Sequence, residues 1–168
     1  TSACVGQAIR ALGQNMRVVF AQFMKRPGQA GEQVMLARLL HDDFLAGGEG
    51  FFRREEERHA HRQAALTVLA WVEERLSPPS VEPEPELSPP GMLILDEALY
   101  AVQAGLLERP ELEAIMQTCG QRGIHLVLSG RSNERTAWIL EQADLVSEIL
   151  PRKHPYQNGQ KAQPGVEY

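Results

Sequence analysis

Cysteine, net positive charge and long apolar runs are all scarce in this sequence of 168 residues. Its two cysteines, Cys4 and Cys119, lie far apart in helix-like apolar contexts and without a Cys-x-x-Cys partner, so we expect two buried free thiols. The net charge of −5 argues against a nucleic-acid partner. Because no run of about 18 apolar residues is present, we expect a cytoplasmic protein without a membrane-embedded segment.

The composition is that of a soluble globular protein. Hydrophobic residues make up 43% of the chain and charged residues 23%, and the length suits one domain better than two. We therefore expect a single domain over residues 1–168. The chain enters a helical pattern at Thr1 with no initiator Met and no charged leader, so we also expect residues to precede Thr1 in the natural protein.

Apolar spacing in the first half of the chain predicts helices that alternate with short buried strands. Val5, Ile9 and Leu12 recur at helical intervals, and residues 18–21 form a short β-branched run typical of a strand buried on both faces. The predicted elements are a helix over 2–12, a strand over 18–21, a loop over 24–31, a helix over 32–40, a short strand at 44–45, a flexible glycine loop over 47–50 and a long helix over 54–76.

The second half begins with a proline-rich connector. Residues 77–91 contain six prolines and three glutamates, which predicts an exposed, extended segment. The elements predicted beyond it are a strand over 92–95, a helix over 110–121, a strand over 126–128, a helix from Asn133 to Ala143, a last strand over 145–150 and a C-terminal loop over 151–168. Strands separated by helices predict an α/β fold with a mostly parallel sheet, helices on both faces and ligands at the carboxyl ends of the strands.

The most informative single motif is the apolar strand over 92–95, which ends in Asp96 and Glu97. Proteins that bind nucleotide phosphates place carboxylates at such a strand end, where they hold Mg²⁺ or its water ligands. The alternative is that the two acids form only a polar exit from the core, as in any α/β protein.

Thr1 and Ser2 open the first predicted helix. In a phosphate-binding loop, glycines and a lysine precede a Thr or Ser whose hydroxyl reaches Mg²⁺ and which begins a helix facing the phosphates. Thr1 fits that position. The alternative is an ordinary helix N-cap, which nothing in the sequence excludes.

Several further segments carry a resemblance that covers nearly the whole chain. In order and approximate spacing, they match the P-loop family of ATP:cob(I)alamin adenosyltransferases, which the chain therefore resembles. The most specific are 143–148 and 153–155, followed by the closing Lys-Ala-Gln-x-Gly-Val-Glu-Tyr, since a generic ATPase has no reason to carry them. The other matching segments are 1–6, 19–25, 50–51, 93–97 and 128–131.

This resemblance implies a RecA-like P-loop fold and an enzyme that transfers the 5′-deoxyadenosyl group of ATP to a cobalt(I) corrinoid, releasing triphosphate. It implies Mg²⁺ or Mn²⁺ as the cofactor, with Thr1 as a metal ligand and Ser2 as a phosphate contact. Asp96 and Glu97 are expected to bind the metal or its water and to act in catalysis. A glycine-rich loop that ends in Lys is expected just before Thr1.

Other strand ends supply further candidates. Arg131, next to Gly130, is expected to reach the phosphates or ribose of ATP and to act in catalysis; a solvated loop arginine is the alternative. Gln22 and Lys25 follow the first strand and face the same edge of the sheet. They are candidates for contacts with nucleotide or corrinoid, and structural roles are equally open.

Phe51, Phe52 and Arg53 lie in the segment that the resemblance assigns to the corrin ring. The family packs aromatic side chains under the corrin in an apolar, dry pocket, and often has Gly-Phe-x-Trp here. Phe51 matches this pattern, whereas Arg53 replaces the Trp. Either Phe52 substitutes for the lost ring, or Arg53 meets a polar group of a different corrinoid, or the two phenylalanines only anchor the loop to the core.

The implied partners are ATP, a corrinoid and a reductase that supplies electrons to cobalt, with the protein itself a homodimer. Two rivals stay open: a P-loop relative that holds ATP and a corrinoid without transfer, which Arg53 favours, and a P-loop phosphohydrolase that releases ADP. The five histidines show no metal-binding spacing, and only His154 lies in a family-like segment.

Overall fold

The computed structural model of the chain describes residues 1–77 and 90–166. Its helices are α1 (Ser2–Leu12), α2 (Gly31–Leu40), α3 (Arg58–Leu76), α4 (Ala98–Gln103), α5 (Arg109–Arg122) and α6 (Ala137–Gln142), and its strands are β1 (Val18–Gln22), β2 (Phe44–Ala46), β3 (Met92–Asp96) and β4 (His125–Leu128). Short 3₁₀ turns lie at His41–Asp43, Glu55–Glu57, Glu134–Thr136 and Pro155–Asn158.

The four strands form one parallel sheet in the order β2-β1-β3-β4. In its register, Gln22 at the end of β1 pairs with Asp96 at the end of β3, and Leu95 pairs with Leu128 at the end of β4. The carboxyl ends of the strands therefore lie side by side. This arrangement confirms the predicted α/β fold with a parallel sheet, and it is consistent with a RecA-like P-loop fold.

Helices cover both faces of the sheet because alternate strand residues point in opposite directions. On one face Phe20 and Ile94 pack with residues of α1 and α2. On the other, Val19, Leu93 and Leu95 pack with residues of α3, α4, α5 and α6. Every residue of β1 and β3 is buried, which explains why both strands read as continuous apolar runs in the sequence.

Most element predictions are confirmed with small shifts at their ends. The long helix predicted over 54–76 begins with a 3₁₀ turn and becomes α-helical at Arg58. Asn133 caps the next turn as predicted, since its side chain accepts a hydrogen bond from the backbone nitrogen of Arg135 at 3.0 Å. That segment also starts as a 3₁₀ turn, so that α6 covers only Ala137–Gln142.

The strand predicted over 145–150 is wrong. These residues form no regular structure, and Leu145 and Ile149 are 84% and 79% exposed. Alternating apolar residues make a strand only where a neighbouring strand supplies hydrogen-bond partners, and in the described part of the chain β4 pairs with β3 alone. The short helix α4 was not predicted. The proline-rich connector falls mostly on residues 78–89, outside the described residues, and no described helix is long and apolar enough to cross a membrane.

Candidate functional site

The site lies where the carboxyl ends of β1 and β3 meet the first turn of α1. Gln22 ends β1, Asp96 ends β3, and Ser129 follows β4 directly. The parallel register places these three strand ends side by side, and Thr1 reaches the same place from the start of α1. The predicted convergence of Thr1, Gln22 and Asp96 at one edge of the sheet is therefore observed.

Asp96 is the centre of this site. Its side chain is fully buried and accepts hydrogen bonds from Thr1 Oγ1 at 2.8 Å, Gln22 Nε2 at 3.1 Å and Ser129 Oγ at 2.6 Å. Burial alone would raise the pKa of this carboxyl, but the hydrogen bonds from Ser129 and Thr1 and the positive charge of Lys25 oppose burial, and the pKa is lowered. Asp96 is thus held as a buried, oriented carboxylate.

The Thr1 hydroxyl points at Asp96 and makes no capping hydrogen bond to its own helix. An ordinary N-cap would accept from a backbone amide of the first turn, so the side chain of Thr1 does not act as one here. Ser2 begins α1 and is exposed. The two adjacent residues therefore have different settings: one is tied to the buried carboxylate, and the other faces outward.

Lys25 brings a positive charge to the same place. Its Nζ donates to Thr1 Oγ1 at 2.7 Å and to Glu32 Oε1 at 2.8 Å, and it lies 3.5 Å from Asp96 Oδ2. Burial would raise the pKa of Glu32, but the hydrogen bonds from Lys25, from its own backbone nitrogen and from Gln22, with the charge of Lys25, together outweigh it and lower the pKa. Glu32, in the first turn of α2, was not among the predicted site residues.

A pair of buried glutamines supports the carboxylates from behind. Gln33 Nε2 donates to Gln22 Oε1 at 3.0 Å, which leaves the amide group of Gln22 directed at Asp96 and, at 3.3 Å, at Glu32. Gln33 also accepts from the backbone nitrogen of Gln29 at 3.1 Å. This chain of hydrogen bonds fixes the orientation of both carboxylates and ties the loop between β1 and α2 to them.

Glu97 follows Asp96 but has a different environment. Its backbone is left-handed, with φ 61° and ψ 18°, where it leaves β3 and begins α4. Such a conformation is strained for a non-glycine residue and is concentrated at functional sites. Burial, and then the nearby charge of Asp96, raise the pKa of Glu97. The two adjacent acids therefore differ in protonation tendency: Asp96 is held as the carboxylate, and Glu97 takes up a proton more readily.

The segment after β4 contributes Ser129, Gly130 and Arg131. Ser129 Oγ donates to Asp96 and accepts from the backbone nitrogen of Glu97 at 3.2 Å, so it holds both acids. Gly130 has φ 140°, and a Cβ at this position would lie 2.8 Å from the backbone nitrogen of Tyr100. Glycine is thus required for packing against α4. Arg131 is exposed, and its charge acts to lower the pKa of Glu97.

A second feature, a cleft of about 610 Å³, lies next to this site. Phe51 is 69% exposed at its rim, with the Arg53 guanidinium 6.0 Å from the centre of its ring. Phe52 is half-buried and packs edge-on against His61 at 5.4 Å between ring centres. Phe52 thus anchors the loop to α3, whereas the side chains of Phe51 and Arg53 are exposed beside the cleft. The cleft is lined by Arg26, Gln29, Glu49, Gly50, Phe51, Arg53, Glu56, Glu57, Ala60 and His61.

His61 is a residue of this cleft that the sequence did not reveal. Its side chain is buried, and its Nδ1 has no hydrogen-bond partner among the described residues. A buried polar atom without a hydrogen-bond partner costs about 1–3 kcal/mol of folding free energy. The His61 Nδ1 atom is therefore available to a polar group of a ligand in the cleft. His154, in contrast, lies in the exposed C-terminal segment, where its Nδ1 accepts from the backbone nitrogen of Tyr156 at 3.1 Å. That contact orders the local turn.

The oxygen atoms of Thr1 and Asp96 fit a magnesium ion. Two neighbouring ligands of an octahedral ion, each about 2.1 Å from it, lie about 3 Å apart, and Thr1 Oγ1 and Asp96 Oδ2 are 2.8 Å apart. Mg²⁺ commonly takes one or two protein oxygens and completes its shell with water and substrate phosphates. No cluster of three or more His, Cys, Asp or Glu side chains suited to an all-protein metal site occurs in the described residues.

Both cysteines are buried free thiols, as predicted. Cys4 lies near the site, where burial raises the pKa of its thiol and a hydrogen bond with Ser129 opposes this effect. Burial raises the pKa of Cys119 to about 11, far from the site in α5. Neither thiol has the lowered pKa of a nucleophilic cysteine.

Comparison with known proteins identifies the family. A model of the ATP:corrinoid adenosyltransferase BtuR/CobO/CobP family matches residues 1–168. The chain is 32% identical over 171 residues to a corrinoid adenosyltransferase of Pseudomonas aeruginosa, an alignment that covers all of this chain and 77% of that protein. It is also 32% identical to the corrinoid adenosyltransferase CobA of Salmonella typhimurium, with 79% of that protein covered, and 28% identical to a corrinoid adenosyltransferase of Sinorhizobium sp, with 74% covered. These matches confirm the resemblance in the sequence: the chain belongs to the ATP:corrinoid adenosyltransferase family.

Proposed function

We propose that the protein transfers the 5′-deoxyadenosyl group of ATP to a cobalt(I) corrinoid. The cobalt electron pair forms a bond with the 5′ carbon, the bond from that carbon to the phosphate oxygen breaks, and triphosphate leaves with the bonding electrons. Cobalt is thereby oxidised from Co(I) to Co(III). The reaction needs no base on the protein, so the demands on the site are to bind the phosphate charge and to hold the two substrates in line.

The observation that carries this proposal is the partly buried hydrogen bond between Thr1, at the start of α1, and Asp96, at the end of β3, in a chain of this family. We assign the Mg²⁺ or Mn²⁺ ion to Thr1 Oγ1 and Asp96, with Glu97 beside it as a ligand or as an acceptor for its bound water. The ion, when bound, neutralises the triphosphate as it leaves.

Each remaining residue of the site has a role in this assignment. Ser129 and Gln22 orient Asp96 through hydrogen bonds of 2.6 and 3.1 Å. Ser2, exposed on the first turn of α1, contacts a phosphate, and Arg131 adds a cation from the segment after β4. Gly130 keeps that segment packed against α4, and it lets the backbone approach the nucleotide closely.

We assign the adjacent cleft to the corrinoid. Phe51 offers an exposed ring to the corrin face, and Arg53 reaches a polar substituent of the ring. Phe52 supports them through its contacts with His61 and with the guanidinium of Arg58, 4.9 Å from its ring centre. We further propose a homodimer in the cytoplasm that receives electrons for cobalt from a separate reductase.

The direct test incubates the protein, including any residues that precede Thr1, with ATP, Mg²⁺ and chemically reduced cobalamin. The proposal expects the visible spectrum of adenosylcobalamin together with one triphosphate for each corrinoid converted. Release of ADP and phosphate without a change in the corrinoid spectrum would contradict it and would favour a phosphohydrolase.

A second candidate function is a carrier that binds ATP and a corrinoid without transfer. Arg53 is the observation that favours it, since the residue stands where the family often has Trp. A carrier would leave cobalamin bound and spectrally unchanged in the same assay. An Arg53→Trp variant discriminates further, because it should gain transfer activity only if Arg53 is what prevents it.

A further inference from the structure

Lys25 lies among three oxygen atoms that come from three separate elements. Its Nζ is 2.7 Å from Thr1 Oγ1, 2.8 Å from Glu32 Oε1 and 3.5 Å from Asp96 Oδ2. The side chain is only 24% exposed, and those of Glu32 and Asp96 are 19% and 0% exposed. Three oxygens around one partly buried cation form the type of shell that a metal ion also requires.

The ammonium group blocks the open approach to Thr1 and Asp96. The other directions around the Asp96 carboxylate are taken, because Oδ2 accepts from Gln22 and Oδ1 accepts from Ser129. An ion about 2.1 Å from both Thr1 Oγ1 and Asp96 Oδ2, on the side where Lys25 lies, would overlap the ammonium nitrogen. The ion and the ammonium therefore exclude each other.

The local charge supports such an exchange. The carboxyl groups of Asp96 and Glu32 both lie within ion-pair distance of the Lys25 ammonium, at 3.5 and 2.8 Å, so two acidic side chains face one positive charge while Lys25 is in place. When a divalent ion takes the place of the ammonium, its two charges balance the two carboxylates. The hydrogen bond from Lys25 to Glu32 does not involve Thr1 or Asp96. Glu32 can therefore keep Lys25 nearby after the ammonium group leaves those two residues.

We propose that Lys25 is a resident cation of the metal site, which holds Thr1 and Asp96 in position in the absence of a divalent ion and is displaced when the ion binds. Lys25 is a positioning residue in this role, and Glu32 is its anchor on α2. The displaced ammonium remains beside the site, where it can face the phosphate chain. The inference rests on the metal site of the proposed function, but its tests require neither ATP nor a corrinoid.

The first test measures Mn²⁺ affinity by electron paramagnetic resonance in the protein without nucleotide. Lys25→Met removes the competing charge and keeps a similar length, so we expect Mn²⁺ to bind at least about tenfold more tightly, as the loss of one like charge in contact with the ion would produce. Arg26→Met is the matched control, because it removes the same charge from the neighbouring residue. The Arg26 side chain forms an ion pair with Glu49, at 3.9 Å, on the side of the cleft. We expect less than about a twofold gain for it, as a more distant, exposed charge is screened.

Equal Mn²⁺ affinity in the two variants, including no measurable binding to either, would overturn the proposal. A lower affinity in Lys25→Met than in the unaltered protein would also do so, because it would mean that Lys25 helps to build the site and does not compete for it. Thermal unfolding of both variants verifies that they are folded.

The second test uses the unaltered protein. From Thr1 onward the sequence has three lysines, Lys25, Lys153 and Lys161, and the last two lie exposed in the C-terminal segment. An amine-specific acetylating reagent followed by mass spectrometry should modify Lys25 slowly, and severalfold faster once Mg²⁺ is added, while Lys153 and Lys161 do not change. An unchanged rate at Lys25 in the presence of bound Mn²⁺ would show that the ammonium is not displaced. Failure of adenosyl transfer would leave both of these measurements intact, so the two proposals fail separately.

Discussion

At the scale of single residues, the site depends on one buried carboxylate. Asp96 accepts three side-chain hydrogen bonds and is completely enclosed. Replacing Asp96 with asparagine keeps the side-chain volume but removes the charge. The new amide nitrogen is itself a donor and would face groups that donate to Asp96. The electrostatic function and the fold should thus respond to very different degrees.

We predict that Asp96→Asn lowers Mg²⁺-dependent adenosyl transfer by on the order of a hundredfold or more, as for other losses of a preorganised charged group. The cost in stability should be about 1–3 kcal/mol, the scale of a mismatched buried hydrogen bond. Turnover and thermal unfolding are measured on the same preparation. Asp42→Asn, at an exposed position in a 3₁₀ turn, is the matched control, and equal losses in both variants would contradict the role of Asp96.

The neighbouring acids should respond to pH with opposite signs. The pKa of Glu97 is raised in the folded protein, so this group favours folding at low pH, and its contribution declines as pH rises from about 4.3 through the folded pKa. The pKa of Asp96 is lowered, so its contribution is present above about 3.9 and is lost as pH falls through the folded pKa.

We therefore predict that Glu97→Gln becomes more stable relative to the unaltered protein as pH rises from about 4.3, and that the gain levels off above the folded pKa. For Asp96→Asn, the stability deficit should shrink in the acid range below about 3.9. Unfolding midpoints of the three proteins across this pH range test both statements. A stability difference for Glu97→Gln that is constant with pH would rule out a raised pKa.

The residues of the site divide into those that sequence could indicate and those that it could not. Asp96 and Glu97 follow an apolar strand, and Thr1 opens a helix, so their local context reveals them. Glu32 and Gln33 lie in the first turn of α2, where acidic and polar residues are common in any helix. Their contacts with Lys25 and Gln22 depend on how α2 sits against β1, which local pattern does not specify.

At the scale of elements, two loops meet by close backbone contact. A Cβ at Gly48, which follows β2, would lie 2.6 Å from the backbone nitrogen of Met24 and 2.7 Å from that of Lys25. Only glycine lets the loop of the cleft approach the loop that carries Lys25. The two parts of the site are therefore mechanically connected at this point.

We predict that Gly48→Ala destabilises the protein by about 1–3 kcal/mol, because the backbone must shift to accept the methyl group, and that it lowers transfer activity through displacement of Lys25. Gly120→Ala is the control: Gly120 lies in α5 with nothing within 4 Å of its added Cβ, so the change should stabilise by up to about 1 kcal/mol through helix propensity. Unfolding free energies of both variants give the comparison, and a neutral Gly48→Ala would disprove the close contact.

Element prediction succeeded where burial acts on both sides of a segment. β1 and β3 are enclosed by two helical layers, so their sequences are apolar up to the polar residue that ends each strand, and both are easily identified. Residues 145–150 have a similar apolar content but lie exposed and unpaired. Whether a segment pairs as a strand depends on whether a neighbouring strand is available, and the sequence of the segment itself carries little information about this. The six-residue α4 was missed because it is too short for a helical repeat to show.

At the scale of the whole molecule, the stability of the fold should be linked to the ligands of the site. A ligand that binds only the folded state at about 100 times its dissociation constant adds about 2.7 kcal/mol. If the proposed metal site at Thr1 and Asp96 is correct, part of this gain should depend on a divalent ion.

We predict that ATP with Mg²⁺ raises the unfolding temperature by several degrees, about 2–4 °C for each kcal/mol in a chain of this size. ATP with a chelator should raise it less. In Asp96→Asn the difference between these two conditions should largely disappear. Differential scanning fluorimetry measures all three, and an equal effect of ATP with and without metal in the unaltered protein would argue against a metal site at Thr1 and Asp96.

The packing of Gly130 against α4 has a consequence for how the molecule can adjust to its substrates. The backbone nitrogen of Leu99 donates to Ser129 O at 3.1 Å, and the backbone of Gly130 touches Tyr100, so the tip of β4 and the start of α4 form one rigid brace behind Asp96. These contacts limit how far the segment behind Asp96 can move. We therefore expect that any adjustment to bound substrates falls mainly on residues 47–53 across the site, where Phe51 is exposed.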